Sequence, residues 1–164
     1  EGAGIFLTVA ETNGQGRKAQ NIVRPRAYFV EFDAKDGQVA PATWDVEPSI
    51  IVRSKGGLHV YWLISDAPLS EFTRVQRSLI KTLGSDPVIH NPDRVMRVPG
   101  FYHLKDPNDP YLVRLEALHR DRMYSHADFC EALGIESVLS VPEVTTRTSP
   151  TTEADAEAVE ITGD

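Results

Sequence analysis

A run of apolar and aromatic residues with charged ends, from Arg26 to Asp33, predicts a β-strand. It ends in two acidic residues and a polar turn, Ala34-Lys35-Asp36-Gly37. Period two divides its side chains into two faces, Tyr28, Val30 and Phe32 on one and Phe29, Glu31 and Asp33 on the other. The two carboxylates therefore point the same way.

Two further strands are predicted as a hairpin, Ser49–Arg53 and Leu58–Ile64, around the tight turn Ser54-Lys55-Gly56-Gly57. Alternation places His59, Tyr61 and Leu63 on one face of the second strand, opposite the core-facing set Leu58, Val60, Trp62 and Ile64. Helical spacing of apolar residues follows Pro68 and stops at Gly84. A second, shorter helix is predicted from a Ser125 cap to Leu133.

Four other segments carry weaker patterns. We expect an inner strand over Gly4–Ala10, a short helix over Arg17–Val23, a single helical turn from Asn91 that carries Arg94 and Arg97, and a strand over Tyr111–His119. Strands and helices mix without strict alternation. The pattern therefore predicts an α+β fold with a largely antiparallel sheet.

Composition divides the chain at about residue 140. The last 24 residues hold six acidic residues against one arginine and contain no aromatic residue, which predicts an acidic disordered tail or linker over 141–164. Residues 1–140, the predicted folded domain, then carry −2 of the total charge of −7. Basic residues cluster within that domain, so the acidic total does not exclude a locally positive groove.

Length and residue content narrow the class of protein. The 164 residues are enough for one domain with a core, and the single cysteine, Cys130, excludes an internal disulfide. No apolar run reaches membrane-spanning length, and no signal-peptide pattern is present. The chain opens on a strand-like segment without an initiator Met, which we interpret as the sign of an excised fragment.

Three polar features indicate chemistry on phosphates. Glu31 and Asp33 suit a divalent cation, although a solvated strand end has the same pattern. His59 follows a turn whose glycines leave backbone N–H groups open beside Ser54 and Lys55, although a lone strand histidine is more often structural. A third stretch holds an acid and spaced bases that suit ions and phosphate charge, or else a surface salt-bridge mesh: Asp86, Asp93, Arg94, Arg97 and Lys105.

The order of these features and the local sequences around them resemble the archaeo-eukaryotic primase (PrimPol) superfamily. Within it, they resemble the RepB-like primases of plasmids and phages. The resemblance covers roughly Gly4 to Leu118. It rests on Phe29-Val-Glu-Phe-Asp33, Ser54-Lys-Gly-Gly-Leu-His-Val-Tyr-Trp62, Asp86, Arg94-Val-Met-Arg-Val-Pro-Gly100 and Lys105. It implies an RRM-like catalytic core and a cytoplasmic DNA primase/polymerase, a nucleotidyltransferase that acts in plasmid or phage replication.

The resemblance also implies roles for single residues. Glu31, Asp33 and Asp86 would bind Mg²⁺ or Mn²⁺, with Asp93 as the alternative to Asp86, and His59 would contact the incoming nucleotide. The remaining nucleotide-binding residues would be Ser54, Lys55, Arg97 and Lys105. Implied partners are a single-stranded DNA template, NTP or dNTP, and a helicase domain or helicase beyond the tail.

Two other functions stay open on the sequence. The first is a replication-initiator nuclease with a Tyr nucleophile, although the five histidines include no His-x-His pair of the kind such enzymes use for their metal. The second is a non-catalytic nucleic-acid-binding module whose acidic residues are structural.

Overall fold

The computed structural model describes residues 4–136. The helices of this part of the chain are α1 (Leu69–Leu83) and α2 (His126–Ala132). Its strands are β1 (Phe6–Thr8), β2 (Glu11–Thr12), β3 (Ile22–Arg24), β4 (Ala27–Asp33), β5 (Ile50–Arg53), β6 (Gly57–Ile64), β7 (Val95–Arg97), β8 (Tyr102–His103), β9 (Tyr111–Leu112), β10 (Arg114–Leu118) and β11 (Met123–Tyr124).

A five-stranded sheet is built around β6. Strand β4 pairs antiparallel along one edge of β6, from Ala27 opposite Leu63 to Asp33 opposite Gly57. Strand β5 pairs antiparallel with the other edge, and β10 pairs antiparallel with β5. The short β11 adds a parallel pair at the end of β6. The predicted hairpin and the largely antiparallel sheet are therefore confirmed.

One face of this sheet forms an aromatic core. Tyr28 and Trp62 lie opposite each other across the β4–β6 pair, and both are fully buried. Tyr28 stacks on Phe72 of α1 and on Phe129 of α2, with ring centroids 5.6 and 5.1 Å apart. Both helices therefore pack on the face predicted to be the core face. Helix α1 ends at Gly84, whose φ of 63° is the left-handed conformation that favours glycine at this position.

The outer edge of β4 is closed by side chains and loop backbone. The buried Gln76 amide of α1 accepts from the Phe29 N–H at 3.3 Å and donates to the Phe29 carbonyl. Further along, the Asp86 N–H donates to the Glu31 carbonyl at 2.9 Å, and Gln38 Oε1 accepts from the Asp33 N–H at 2.9 Å. The edge thus has hydrogen-bond partners without a sixth strand.

The sequence-based predictions were wrong at four places. Gly4–Ala10 is not an inner strand, because only Phe6–Thr8 is strand and it pairs with β7 alone in a two-stranded sheet with largely exposed side chains. Arg17–Val23 forms only a 3₁₀ turn at Ala19–Asn21 before β3.

The other two errors lie in the second half of the chain. Arg97 lies on β7, which pairs with β1, so the predicted helical turn from Asn91 does not extend to it. The predicted strand over Tyr111–His119 is split into β9 and β10 by the buried Val113. For Gly4–Ala10 and for Arg97, a pairing partner about 90 residues away decides the conformation.

The predicted tail over 141–164 lies outside the described residues, and its boundary at residue 140 stays a prediction. Within residues 4–136, neither helix has the length and apolar character needed to cross a membrane.

The Gln76 contacts give a test of the fold. Gln76→Leu keeps the side-chain volume but leaves the two Phe29 backbone groups and the Ile89 carbonyl without their amide partner. We expect a loss of about 2–4 kcal/mol in the free energy of unfolding, measured by urea denaturation. The control Gln15→Leu, in an exposed loop, should change it by less than about 0.5 kcal/mol. Equal stability of Gln76→Leu and the parent would contradict this account of the β4 edge.

Candidate active site

The β4–β6 register places Glu31 directly opposite His59. Glu31 Oε1 lies 3.4 Å from His59 Nε2, with the imidazole 4 % exposed and the carboxylate side chain 28 % exposed. His59 Nδ1 is buried and has no hydrogen-bond partner within residues 4–136. The histidine therefore lies beneath the carboxylate, while Glu31 reaches the surface.

This contact sets the charge of Glu31. The hydrogen bond from His59 lowers the pKa of the Glu31 carboxyl below its ordinary value, and this effect outweighs the opposing effect of burial. The charge of Asp33 raises that pKa, and the charge of Arg94 lowers it, both to a smaller extent. Glu31 is thus ionised at neutral pH and can act as a ligand for a cation.

Asp33 lies on the same face of β4, two residues further on. Its Oδ1 accepts a hydrogen bond from the Lys35 N–H at 3.1 Å, and its Oδ2 lies 2.5 Å from Lys35 Nζ. Both contacts lower the pKa of the Asp33 carboxyl. The Lys35 ammonium group therefore pairs with this carboxylate in the structure.

Two glycines let the β5–β6 turn approach Asp33. A Cβ on Gly57 would lie 1.7 Å from the Phe32 carbonyl oxygen, so a side chain cannot be accommodated there. A Cβ on Gly56 would lie 3.4 Å from Asp33 Oδ1. The turn therefore runs directly beside the carboxylate, and the Asp33 side chain keeps 14 % of its surface exposed.

Asp86 is joined to this pair through the backbone. Its N–H donates to the Glu31 carbonyl, and its Oδ1 accepts from the Val88 N–H at 2.8 Å. Asp93, the alternative, accepts through Oδ1 from the side chain of its neighbour Asn91. The structure thus brings Asp86 next to Glu31. Across the described part of the chain, no three His, Cys, Asp or Glu side chains are grouped closely enough to form a metal site.

The polar atoms of Ser54 and Lys55 are engaged at the turn. Ser54 Oγ accepts from the Gly57 N–H at 3.2 Å, which stabilises the hairpin turn. Lys55 Nζ lies 2.7 Å from both the carbonyl oxygen and Oδ2 of Asp109. Their predicted role in nucleotide binding stays a prediction, and for Lys55 it requires that the ammonium be shared with Asp109.

Basic residues from distant segments meet around His103. Burial lowers the pKa of the His103 imidazole, and the positive charges of Arg97, Lys55 and Lys105 lower it further. Arg97 also interacts with the Glu31 charge, and its guanidinium lies 4.6 Å from the centroid of the Phe6 ring. These four residues, Lys55, Arg97, His103 and Lys105, are called the basic cluster, and Arg97 is its member that interacts with Glu31.

His103 is the member of this cluster that sequence reasoning missed. Its spacing, two residues before Lys105, is the only signal in the sequence. That signal is weak, because nothing local indicates that the turn carrying Lys55 comes close to β8.

Comparisons with known proteins agree with this architecture. The family model of the RepB DNA-primase N-terminal domain matches residues 17–138. The AEP domain of the cyanophage S-2L primase-polymerase is similar in structure, with a TM-score of 0.61 and 24% identity over 78% of this chain and 69% of that chain. This similarity confirms the predicted α+β primase-type fold.

Two structures of the primase RepB′, one of them its catalytic domain in complex with initiator DNA, match less extensively. Their TM-scores are 0.42 and 0.41, at 21% and 22% identity. Each match covers 58% of this chain, and the chain spans 36% and 54% of the RepB′ chains. A comparison with curated protein sequences gives no match.

The Glu31–His59 contact predicts a pH effect on stability. Because the pKa of Glu31 is lower in the folded chain than in the unfolded one, its contribution is present above the ordinary Glu value of 4.5 and is lost as pH falls through the folded value. Glu31→Gln should therefore reduce stability by about 1 kcal/mol at pH 7 and by less at pH 3, measured by urea denaturation. If Glu31→Gln lowers the free energy of unfolding equally at pH 7 and pH 3, the ionisation of Glu31 contributes nothing to stability.

Proposed function

Because the chain belongs to the RepB DNA-primase N-terminal domain family, we propose that it is the catalytic domain of a DNA primase-polymerase. In this proposal it joins NTP or dNTP to a 3′-hydroxyl on a single-stranded DNA template, in the replication of a plasmid or phage. The observation that carries the proposal is the pair of ionised carboxylates, Glu31 and Asp33, on one face of β4 beside His59.

The donor set of the site fits a divalent cation. Glu31 and Asp33 offer carboxylate oxygens, which Mg²⁺ and Mn²⁺ prefer, and the lowered pKa of each keeps it ionised. Mg²⁺ commonly binds through one or two carboxylates, with water and substrate phosphates as the other ligands. We propose Asp86 as the third carboxylate, since its backbone is already joined to Glu31.

When bound, such a cation supplies Lewis-acid chemistry that favours loss of the 3′-hydroxyl proton and neutralises phosphate charge. The 3′-oxygen bonds to the α-phosphorus, the bond to the β-phosphate oxygen breaks, and pyrophosphate and one proton are released. The protein's own contribution is to hold the reacting groups in place. His59 Nε2 lies 3.4 Å from Glu31 and holds that carboxylate in place, and the proposed contact of His59 with the nucleotide requires its buried Nδ1 to become accessible.

The basic cluster is proposed to bind the triphosphate. Arg97 and Lys105 carry positive charge next to His103, and Lys55 enters from the β5–β6 turn. Cationic side chains placed before the reaction stabilise charge that develops on the leaving phosphates. Ser54 is proposed to act from the same turn, through the backbone that its Oγ orders.

The wider partners of this domain are also proposals. Family membership supports a single-stranded DNA template, and a helicase domain or partner is proposed to follow the segment 141–164. The cytoplasm of a bacterial or phage-infected cell fits such a replication protein.

Removal of the Asp33 charge tests the metal assignment. Asp33→Asn should lower primer extension by about 10²–10³-fold, because the amide retains the shape but loses the anionic ligand. The measurement is extension of a primed single strand with labelled nucleotides and Mn²⁺. The matched control is Asp36→Asn, three residues further on and exposed, which should leave the rate unchanged. Full extension by Asp33→Asn would exclude the proposed ligand, and nicking of the strand would indicate the nuclease instead.

A second pair of variants separates the candidate third carboxylates. Asp86→Asn should reduce extension at least tenfold, while its retained Oδ1 still accepts from the Val88 N–H. Asp93→Asn should extend within about twofold of the parent, because nothing joins it to Glu31 or Asp33 in the contacts of residues 4–136. The reverse order of effects would assign the role to Asp93.

A further inference from the structure

We propose that an apolar cavity beside the candidate active site holds the nucleoside part of a nucleotide, and that the Tyr61 hydroxyl hydrogen-bonds to it. The inference rests on the proposed function, which supplies the nucleotide as the ligand, and it deepens that function by assigning a place to the sugar and base. Three observations carry it: the cavity itself, a buried tyrosine hydroxyl without a partner, and an arginine that lines the cavity without an ion pair.

The cavity has a volume of about 450 Å³ and is lined both by the large sheet and by the segments of β1 and β7. Ligand sites commonly occupy about 300–1,000 Å³, with mainly apolar walls and a few polar groups. This cavity has that composition. Its apolar side chains include Leu7, Val9, Val52, Leu63, Leu115 and Leu118.

Hydrogen bonds hold the cover of the cavity in place. Arg26 Nε donates to the Val9 carbonyl and Arg26 Nη2 to the Thr8 carbonyl, both at 3.0 Å. The Val9 N–H donates in turn to the Arg94 carbonyl at 3.3 Å. The cavity is therefore formed before a ligand enters, and part of the ordering cost of binding is avoided.

The side chain of Tyr61 lines the cavity and is 7 % exposed, yet its hydroxyl has no hydrogen-bond partner among residues 4–136. The fully covered polar atoms without a partner in this part of the chain do not include that hydroxyl, so it keeps surface that a ligand can contact. The buried Tyr28 on the other face differs, because its hydroxyl lies 2.9 Å from His126 Nδ1. A buried hydroxyl without a partner favours a ligand that supplies one.

The Tyr61 hydroxyl keeps its proton at neutral pH. Burial raises the pKa of Tyr61, and the Glu31 charge raises it further. The neutral hydroxyl can donate one hydrogen bond and accept others. It therefore suits the hydroxyl groups of a sugar and the polar edge of a base, which carry both donors and acceptors.

Arg97 supplies a positive charge at the cavity. Its guanidinium lies 4.6 Å from the centroid of the Phe6 ring, and the Glu31 charge acts on it. No hydrogen bond or salt bridge with another of residues 4–136 engages it. No acidic residue of this part of the chain lines the cavity, so its walls do not repel an anion. The cavity therefore suits a molecule with a flat apolar body and an anionic end, as in a nucleotide.

The cavity begins next to the candidate active site. Tyr61 follows His59 by two residues on the same face of β6, and Val52 of the cavity lies opposite His59 across the β5–β6 pair. Because a strand rises about 3.3 Å per residue, the two positions on β6 are roughly 7 Å apart. A nucleotide whose phosphates contact Arg97 can thus place its sugar and base in the cavity. An enclosed base is bound by the protein itself, so this part of the affinity requires no DNA.

The test is calorimetric titration with the four NTPs, the four dNTPs and inorganic triphosphate, in EDTA and without DNA, so that neither metal nor template contributes. Tyr61→Phe removes only the hydroxyl, and Tyr28→Phe is the matched control on the other face. Leu115→Trp fills the cavity from its half-exposed rim, and its control is Leu112→Trp, which lies outside the cavity.

We expect the parent to bind its best nucleotide at least about tenfold more tightly than inorganic triphosphate, because the base and sugar bury apolar surface. Tyr61→Phe should lower that nucleotide affinity by about three- to tenfold, leave triphosphate affinity unchanged and keep the urea midpoint of the parent. Tyr28→Phe should instead lower the urea midpoint and keep the nucleotide affinity. Leu115→Trp should abolish the preference for nucleotide, and Leu112→Trp should retain it.

Equal affinity of the parent for inorganic triphosphate and for every nucleotide would overturn the proposal, as would an unchanged preference in Leu115→Trp. Unchanged nucleotide affinity in Tyr61→Phe would overturn the role of the hydroxyl. Methyl NMR spectra of the parent give a reading that does not depend on a variant folding. The nucleotide, and not inorganic triphosphate, should shift the methyl resonances of Leu7, Val52 and Leu63. Shifts produced by octanoate and not by a nucleotide would indicate a site for aliphatic acids and also overturn the proposal.

The two proposals fail separately. If Asp33→Asn abolishes extension but the parent shows no preference for nucleotide over triphosphate in EDTA, the function stands and the cavity has no such role. If the preference is present while Asp33→Asn still extends, the cavity site stands and the carboxylate assignment fails.

Discussion

The pairing of β4 with β6 is the constraint on which the rest of the structure depends. Its register puts Tyr28 opposite Trp62 on the buried face and, three residues later, Glu31 opposite His59 on the other face. Because strand side chains alternate with period two, a slip of one residue would bury the carboxylate and expose the aromatic core. The aromatic packing of Tyr28 on one face therefore fixes the geometry of the candidate active site on the other.

The open edge of β4 extends this constraint to more distant segments. Gln76 satisfies the backbone of Phe29 from α1, and the Asp86 N–H satisfies the carbonyl of Glu31. An edge that would otherwise invite pairing with another chain is closed in this way. The segment after α1 is thereby held against the strand that carries the acidic pair. Strand β7 lies on the side of the sheet that carries Glu31, and Arg97 of β7 interacts with the Glu31 charge.

Sequence patterns predicted the elements whose own side chains decide their conformation. Strand β4, the β5–β6 hairpin and α1 have strong periodicity and clear end signals, and the structure confirms them. The resemblance to RepB-like primases is likewise confirmed. Strand β7 was missed, and β1 was predicted as a longer inner strand, because the two pair with each other across about 90 residues of sequence. His103 was missed for a similar reason, since its significance depends on Lys55 from a turn far earlier in the chain. Carboxylates adjacent in sequence can be found by eye, whereas a cationic cluster assembled from three segments cannot.

Gly57 has a consequence for how sequences of this kind can diverge. The carbonyl of Phe32 occupies the space that any Cβ would need, so even alanine demands a shift of backbone in the strand that carries Glu31 and Asp33. Gly56, one position earlier, has room for a methyl group in ordinary contact with the Asp33 carboxylate. Replacement of glycine by a larger residue is therefore excluded at position 57 and tolerated at position 56. The difference arises from how close the main chain of Phe32 lies to each position.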